Sequence, residues 1–173
     1  AFESYGDKLM FESQNEELGW DSIWNPWGGS KKQKEASYAL ANEVNQVFVD
    51  VIRNSGGQNP WRHLLIAGYN TDIDRTCDEL YKLPEDPANR IAVSVHYYTP
   101  STLCILDQDA SWGKAKTEWG SQTDINELDA NMNKLKSRFI DNGIPVIVGE
   151  YGCFGSNKAR EVIEYWTLTV SEA

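Results

Sequence analysis

Four short apolar segments recur along the chain, and each is followed by a longer helical or loop-like segment. The apolar runs occupy residues 9–11, 64–68, 91–95 and 146–148. Strands that are apolar on both faces are typical of a parallel sheet covered by helices. The alternation therefore predicts an α/β fold built from four βα units.

The segments between the apolar runs carry helical periodicity. In the clearest case, apolar residues recur at spacings of three and four and share one helix face. These residues are Val44, Val47, Phe48, Val51 and Ile52. Gly56 and Gly57 are expected to end this helix. Further helices are predicted over 74–81, 128–139 and from 162 onward, and residues 1–5 resemble the tail of another helix.

Two architectures use consecutive βα units, the open doubly wound sheet and the closed barrel. Polar candidates for function follow several different strands, which is typical of the C-terminal face of a (β/α)8 TIM barrel. No glycine-rich phosphate loop follows any strand, which weakens a nucleotide-binding interpretation. We therefore expect a TIM-barrel type fold, of which this chain holds about four βα units, a half barrel. Residues 1–173 would form one partial barrel domain.

A half barrel leaves sheet edges and an apolar face that a closed barrel buries. We expect the missing units to come from self-association, from a complementary barrel fragment, or from residues outside this chain.

Charge and composition exclude several classes of protein. The net charge of −10 opposes binding to the phosphates of nucleic acid. No segment approaches the roughly 20 apolar residues that span a membrane. The three cysteines, Cys77, Cys104 and Cys153, have no metal-binding spacing, so a zinc site is not expected. One disulfide with a remaining thiol and three free thiols both stay open.

Two glutamates stand just past apolar strands, far apart in the sequence. Glu16 follows the first strand and Glu150 follows the fourth. Glycoside hydrolysis needs two carboxyl groups that flank one bond, and a barrel brings its strand ends to one face. Taken singly, a glutamate at a strand end is usually a solvated loop residue. The pair in barrel order is what points to catalysis.

Further polar and aromatic residues lie beside these carboxylates in the sequence. Asn15 offers an amide suited to a sugar hydroxyl. His96 and Tyr98 share one face at the end of the third strand, where either can hydrogen-bond a carboxylate. Loop tryptophans can stack on sugar rings, although many plug the barrel mouth instead. They are Trp20, Trp24, Trp27, Trp112 and Trp119.

These motifs resemble glycoside hydrolase family 5, the large cellulase family. Asn15-Glu16 resembles the family's pair at the end of its fourth strand, where the Glu is the general acid/base. Glu150, within residues 148–152, resembles the nucleophile motif of the seventh strand. His96 and Tyr98 resemble the sixth-strand motif whose Tyr contacts the nucleophile.

The resemblance extends over essentially the whole chain. Residues 86–101 and 110–120 are similar to bacterial and rumen-fungal endoglucanases of the family. On this mapping the chain holds strands four to seven. Glu17 stands where family members usually have Pro. The family's Arg on an early strand, its His after the third strand and its Trp after the eighth have no counterpart here.

The resemblance implies a secreted endo-β-1,4-glucanase that acts on β-glucan polysaccharide with retention, and that needs no metal or organic cofactor. Glu150 would attack the sugar, and Glu16 would donate a proton and then activate water. Asn15 would bind the 2-hydroxyl, while His96 and Tyr98 position and tune the carboxylates. Sugar stacking would fall to the loop tryptophans Trp112 and Trp119.

Two alternatives stay open at this point. One is a non-catalytic half barrel that binds glucan or assembles with a complementary fragment. The other is a related barrel hydrolase that acts on xyloglucan or mannan.

Overall fold

The computed structural model describes residues 2–6, 8–16, 24 and 28–173. In this part of the chain, four strands form one parallel sheet in the order β1-β2-β3-β4. They are β1 (Phe11–Glu12), β2 (Leu64–Ala67), β3 (Ile91–Tyr97) and β4 (Val146–Tyr151). Each strand pairs with the next one along the chain, without the reversal of strand order that marks a doubly wound sheet. The predicted half barrel is confirmed.

Helices cover one face of the sheet. They are α1 (Lys31–Arg53), α2 (Ile73–Thr76), α3 (Ser101–Cys104), α4 (Gln122–Arg138) and α5 (Arg160–Glu172). The two long helices α1 and α4 each begin with a capping box, formed by Ser30 with Gln33 and by Ser121 with Asp124. These reciprocal hydrogen bonds satisfy N–H groups that the first helical turn cannot pair.

The helix predicted over 74–81 is much shorter in the structure. It ends at Thr76, and the chain then turns at Asp78, whose side chain accepts a hydrogen bond from the Leu80 N–H at 3.0 Å. A side chain that bonds the main chain two residues on offers the backbone an alternative to the helix. The apolar periodicity did not reveal this competing turn.

The N-terminal segment is not the tail of a helix. Residues 2–6 form a turn and irregular chain instead. The buried Arg62 guanidinium donates hydrogen bonds to four carbonyl groups there, those of Phe2, Tyr5, Gly6 and Leu9. Because these carbonyls converge on one guanidinium instead of pointing along a common axis, the segment wraps around Arg62 and does not form a helix.

The core lies between the sheet and its helices. On β3, Val93, Val95 and Tyr97 face the helices and pack with Leu128 of α4 and Trp166 of α5. Because side chains alternate along a strand, Ser94 and His96 point to the opposite side of the sheet, the side that lines the interior of a barrel. This alternation places His96 among the candidate functional groups.

One apolar stripe of α1 stays uncovered in the described part of the chain. The buried face of α1 carries Tyr38, Ala41, Asn45 and Val49. Leu40, Val44, Val47 and Val51 are instead 39–59% exposed. Of the five apolar residues predicted to share one helix face, Phe48 and Ile52 pack against the core. The exposed stripe lies on the side where a preceding βα unit of a barrel would pack.

A search of the described residues for membrane-spanning helices found none of sufficient length and apolarity.

Candidate active site

A bulge in the sheet aims Glu150 at the site. Along β3 and β4, Val95 pairs with Val148 but His96 pairs with Glu150, so Gly149 is the extra residue. A Cβ atom at Gly149 would lie 3.2 Å from the Ser94 Oγ, which is a tight approach. A bulge re-aims the side chain that follows it, and glycine lets the two main chains come this close. Glu150 consequently stands directly across from His96.

The loop after β1 is held by a residue that sequence reasoning missed. Asn45, buried on α1, accepts hydrogen bonds through its Oδ1 from Ser13 Oγ at 2.7 Å and Gln14 Nε2 at 3.1 Å. Its own Nδ2 donates to the Ala67 carbonyl at the end of β2. One amide thus ties α1, β2 and the loop together two residues before Glu16. The available signal was an Asn between the apolar residues Ala41 and Val49 on the buried face of α1.

Glu16 adopts a backbone conformation that side chains rarely take. Its φ is +44°, in the left-handed region that favours glycine. Such strain costs on the order of 1–3 kcal/mol and is found at functional sites, where the surroundings hold it in place. The hydrogen bonds of Ser13 and Gln14 to Asn45 are part of those surroundings.

Both carboxylates converge on His96. Its Nδ1 lies 2.7 Å from Glu16 Oε1 and 3.7 Å from Glu150 Oε2. The ligand-type atoms of Glu16, His96 and Glu150 all lie within 4.8 Å of one another. Tyr98 donates its hydroxyl proton to Glu150 Oε2 at 2.8 Å. The structure therefore brings together the four residues predicted at the three strand ends.

Tyr98 is a hydrogen-bond donor rather than an acceptor in this cluster. Burial, the hydrogen bond to Glu150 and the negative charges of Glu150 and Glu16 raise the pKa of Tyr98 to about 12. Its hydroxyl consequently keeps its proton at neutral pH and can orient the Glu150 carboxylate.

The cluster is open to a ligand on its carboxylate side. The side chains of Glu16 and Glu150 are 48% and 45% exposed, whereas that of His96 is 5% exposed. A buried imidazole beneath two accessible carboxylates leaves space for a substrate above them. Within the described ranges these three residues also form the one group that could ligate a metal ion. Hydrolysis of a glycoside by two carboxylates requires no metal.

The remaining predicted substrate contacts lie at the edges of the site. Asn15 is exposed beside Glu16. Trp112 is 57% exposed, and Trp119 is half-buried, with its ring edge-on to Tyr165 at 5.5 Å. The contacts of Trp119 are those of a packing residue, and stacking of either ring on a sugar stays a prediction. Trp20, Trp27 and Glu17 lie outside the described residues, while Trp24 packs near Tyr38.

Comparison with protein families gives a match over residues 1–173 to the cellulase family, glycosyl hydrolase family 5. A xyloglucan-specific endo-β-1,4-glucanase from Bacteroides ovatus is 34% identical over 161 residues. That match covers 87% of this chain and 30% of the relative. Endoglucanase A from Ruminococcus albus is 31% identical over 173 residues, covering 99% of this chain and 44% of the relative.

Solved structures agree in fold. A family 5 lichenase from Caldicellulosiruptor sp. F32 in complex with cellotetraose superposes with a TM-score of 0.88 and 29% identity. The match covers 98% of this chain and 46% of the lichenase. A broad-specificity endoglucanase from an uncultured bovine rumen ciliate gives a TM-score of 0.81 and 32% identity, covering 96% of this chain and 47% of the other.

The chain spans less than half of the length of these relatives. Within that span, the match to the family model runs from the first residue to the last. The parallel half barrel with paired glutamates at its strand ends agrees with the match. This chain belongs to glycosyl hydrolase family 5.

Proposed function

We propose that this chain carries the catalytic carboxylates of a secreted, retaining endo-β-1,4-glucanase. The observation that supports this best is the approach of Glu16 and Glu150, whose oxygens lie within 4.8 Å. Retaining enzymes hold their carboxyl groups about 5–5.5 Å apart, while inverting enzymes leave about 6.5–9.5 Å for a water molecule. The spacing here is close to that of retaining enzymes and shorter than that of inverting ones, so it favours a covalent intermediate.

In the first step Glu150 is the nucleophile. The Tyr98 hydroxyl holds Oε2 at 2.8 Å, which fixes the plane of the carboxylate. An oxygen of Glu150 attacks the anomeric carbon while Glu16 gives a proton to the leaving oxygen. The C–O bond to the departing chain breaks, and a glycosyl ester forms on Glu150.

In the second step Glu16 acts as a base. It takes a proton from a water molecule that attacks the same carbon, which releases Glu150 and regenerates both carboxyl groups. His96 Nδ1, at 2.7 Å from Glu16 Oε1, orients the Glu16 carboxyl in both steps. Because His96 touches both acids but is buried, it is a positioning residue.

The relatives support a β-linked glucan as substrate. Among them are enzymes named endoglucanase, a xyloglucan-specific endo-β-1,4-glucanase and a lichenase in complex with cellotetraose. The second of these names states a β-1,4 linkage, and the first shares the word glucanase with it. We place the cleaved bond within the chain of a β-1,4-glucan, and Asn15 beside Glu16 at the sugar's 2-hydroxyl.

The second candidate is a half barrel that binds glucan without cleaving it. The uncovered stripe of α1 supports this candidate, because it indicates that further barrel units are needed to cover α1. A site that depends on those units would work poorly without them. This candidate predicts glucan binding that depends on Trp112 and produces no new reducing ends.

The experiment is reducing-end release from soluble β-1,4-glucan by the purified chain, with and without the complementary half barrel of a relative. Glu150→Gln and Glu16→Gln are the test variants. Glu164→Gln is the matched control, because Glu164 pairs on the surface of α5 with Arg160. We expect both test variants to lose at least 1,000-fold in rate, an order of magnitude typical of lost catalytic carboxylates. Release that survives Glu150→Gln would overturn the assignment.

Aryl cellobiosides separate the two roles. A phenolate of low basicity leaves without a proton, so it bypasses the need for an acid in the first step. Glu16→Gln should then form the glycosyl-enzyme quickly and hydrolyse it slowly, giving a burst of phenolate. Glu150→Gln should give no burst. The reverse pattern would exchange the two assignments.

A further inference from the structure

Two of the three cysteines meet beside the candidate active site. Cys104 ends α3, and Cys153 lies just after β4. The Cys104 thiol hydrogen-bonds the Cys153 sulfur, and Cys153 Sγ contacts the Leu103 carbonyl at 3.7 Å. The Phe154 N–H donates to the Cys104 carbonyl at 2.8 Å. Side chains and main chains are therefore in direct contact.

This geometry suits a covalent bond. A main-chain hydrogen bond holds two segments about 5 Å apart, as in neighbouring strands. Disulfides span Cα separations of about 4.4–6.8 Å. The hydrogen bond from the Phe154 N–H to the Cys104 carbonyl already holds the two main chains at a comparable separation, so little movement of the backbone is required.

The two segments are those that leave the catalytic strands. Cys153 lies three residues after Glu150. Cys104 belongs to α3, which begins three residues after Tyr98. We propose that Cys104 and Cys153 form a disulfide that ties the segment after β4 to the segment after β3. The same two strand ends are joined by the hydrogen bond from Tyr98 to Glu150.

The oxidant is a small-molecule disulfide such as oxidised glutathione. One cysteine thiolate attacks it, forms a mixed disulfide and releases one equivalent of the small thiol. The other cysteine then attacks the protein sulfur of the mixed disulfide and releases the second equivalent. The two cysteines lose two electrons and two protons, and one disulfide is reduced to two thiols.

Cys153 is the first to react. It is half-buried, whereas Cys104 is only 3% exposed. Burial raises the pKa of both thiols, and for Cys153 the nearby Lys158 and the hydrogen bond from Cys104 oppose that effect. Since thiolates are the attacking species, oxidation accelerates as the pH rises.

Cys77 provides an internal control. It lies at the end of α2 near Arg138 and Lys134 of α4, and burial raises its pKa to about 11. In an unfolded chain the shorter loop closes more readily. About 27 residues separate Cys77 from Cys104 and about 49 separate Cys104 from Cys153, so loop entropy favours the Cys77–Cys104 pair roughly 2.4-fold. Folded and unfolded chains should therefore pair differently.

The experiment oxidises the chain with glutathione disulfide at pH 8.5, with and without urea, followed by alkylation and peptide mapping. From the folded chain we expect one alkylated cysteine, Cys77, and a Cys104–Cys153 cross-link; reduction should restore three alkylated cysteines. In urea the pairing should become mixed. A folded sample that keeps three alkylated cysteines, or that pairs Cys77, contradicts the proposal.

Thermal unfolding gives a second test. Closing a loop of this size should raise the melting temperature by roughly 5–15 °C in the oxidised chain. Cys153→Ser should abolish the shift between oxidised and reduced samples, while Cys77→Ser should leave it. A shift that persists in Cys153→Ser would also overturn the proposal.

Discussion

Tyr98 keeps its proton far above neutral pH, and its hydroxyl donates to the Glu150 carboxylate. A hydrogen bond to a charged group is worth about 1.5–3 kcal/mol. That range is enough to fix the direction of the Glu150 carboxylate. If Glu150 is the nucleophile, as we propose, Tyr98 orients it for attack.

Tyr98→Phe should reduce kcat roughly 10- to 100-fold and change KM little, because the lost contact acts on Glu150 rather than on substrate. Steady-state kinetics on soluble glucan measure both constants. Tyr5→Phe is the control, since Tyr5 is 56% exposed in the N-terminal turn. A full rate in Tyr98→Phe would mean that Glu150 is oriented by other groups.

Asn45 shows how a residue outside the site can hold it. Asn45→Leu fits the space but leaves the Ala67 carbonyl and the Ser13 and Gln14 side chains without their partner. We expect a loss of about 2–4 kcal/mol in the free energy of unfolding, measured with urea. Gln14→Ala removes one of these contacts while Asn45 keeps the others, and should lose less. Equal losses for the two variants would argue against Asn45 as the residue that ties the loop to α1 and β2.

Much of this site was predictable at the level of residues. Glu16, His96, Tyr98 and Glu150 each stand at a strand end in barrel order, and parallel strands bring those ends together. Asn45 was not predicted, because a single polar residue in an apolar helix face does not say which loop it reaches. The positive φ of Glu16 was not predictable either, because residue type alone does not indicate a left-handed backbone at a glutamate.

At the scale of elements, a buried ion pair joins α1 to the segment before β3. Arg53 on α1 donates to both oxygens of Asp86, and the two side chains are 6% and 2% exposed. Burial alone would raise the pKa of Asp86. Hydrogen bonds from Arg53 and from the Arg90 and Ala88 N–H groups outweigh burial and lower it.

This depressed pKa makes the fold sensitive to acid. The stabilisation is complete above the unfolded value of about 3.9 and is lost as the pH falls through the lower, folded value. Asp86→Asn should cost about 3–5 kcal/mol at pH 7, because Arg53 stays buried without its partner. The variant should also lose part of the acid dependence below pH 4. Urea unfolding between pH 2.5 and 7 measures both, with the exposed Asp129→Asn as control.

An unchanged acid dependence in Asp86→Asn would contradict this assignment.

The boundaries of the helices and strands were less predictable than their existence. The strands overlap the predicted apolar runs. The helix α2, in contrast, ends at Thr76, because the turn formed at Asp78 competes with a longer helix. The N-terminal segment was misread as helical because the apolar pattern says nothing of a distant Arg62.

At the scale of the whole molecule, the chain has the sheet of a half barrel and an uncovered apolar stripe. That stripe on α1, with Val47 and Val51 more than half exposed, is where a neighbouring unit would pack. Exposed apolar stripes of this kind drive association in water. The four βα units in the sequence predicted the half barrel. The sequence does not identify the residues or the partner that cover the exposed stripe of α1.

The isolated chain should accordingly self-associate. Val47→Glu should shift it toward monomer in light scattering coupled to size-exclusion chromatography. Ala39→Glu adds the same charge on the polar side of α1, near Glu43 and Asp50, and should change little. Equal effects of the two variants would mean that net charge, rather than the stripe, governs association.

If Glu150 is the nucleophile, as we propose, it forms a covalent ester with the sugar. A 2-deoxy-2-fluoro cellobioside with a good leaving group should trap that ester, since the fluorine slows its hydrolysis. We predict a mass gain of one fluorosugar unit on the peptide that carries Glu150, and no gain in Glu150→Gln. Labelling of Glu16, or no labelling of a folded sample assembled with its complementary half barrel, would contradict the account.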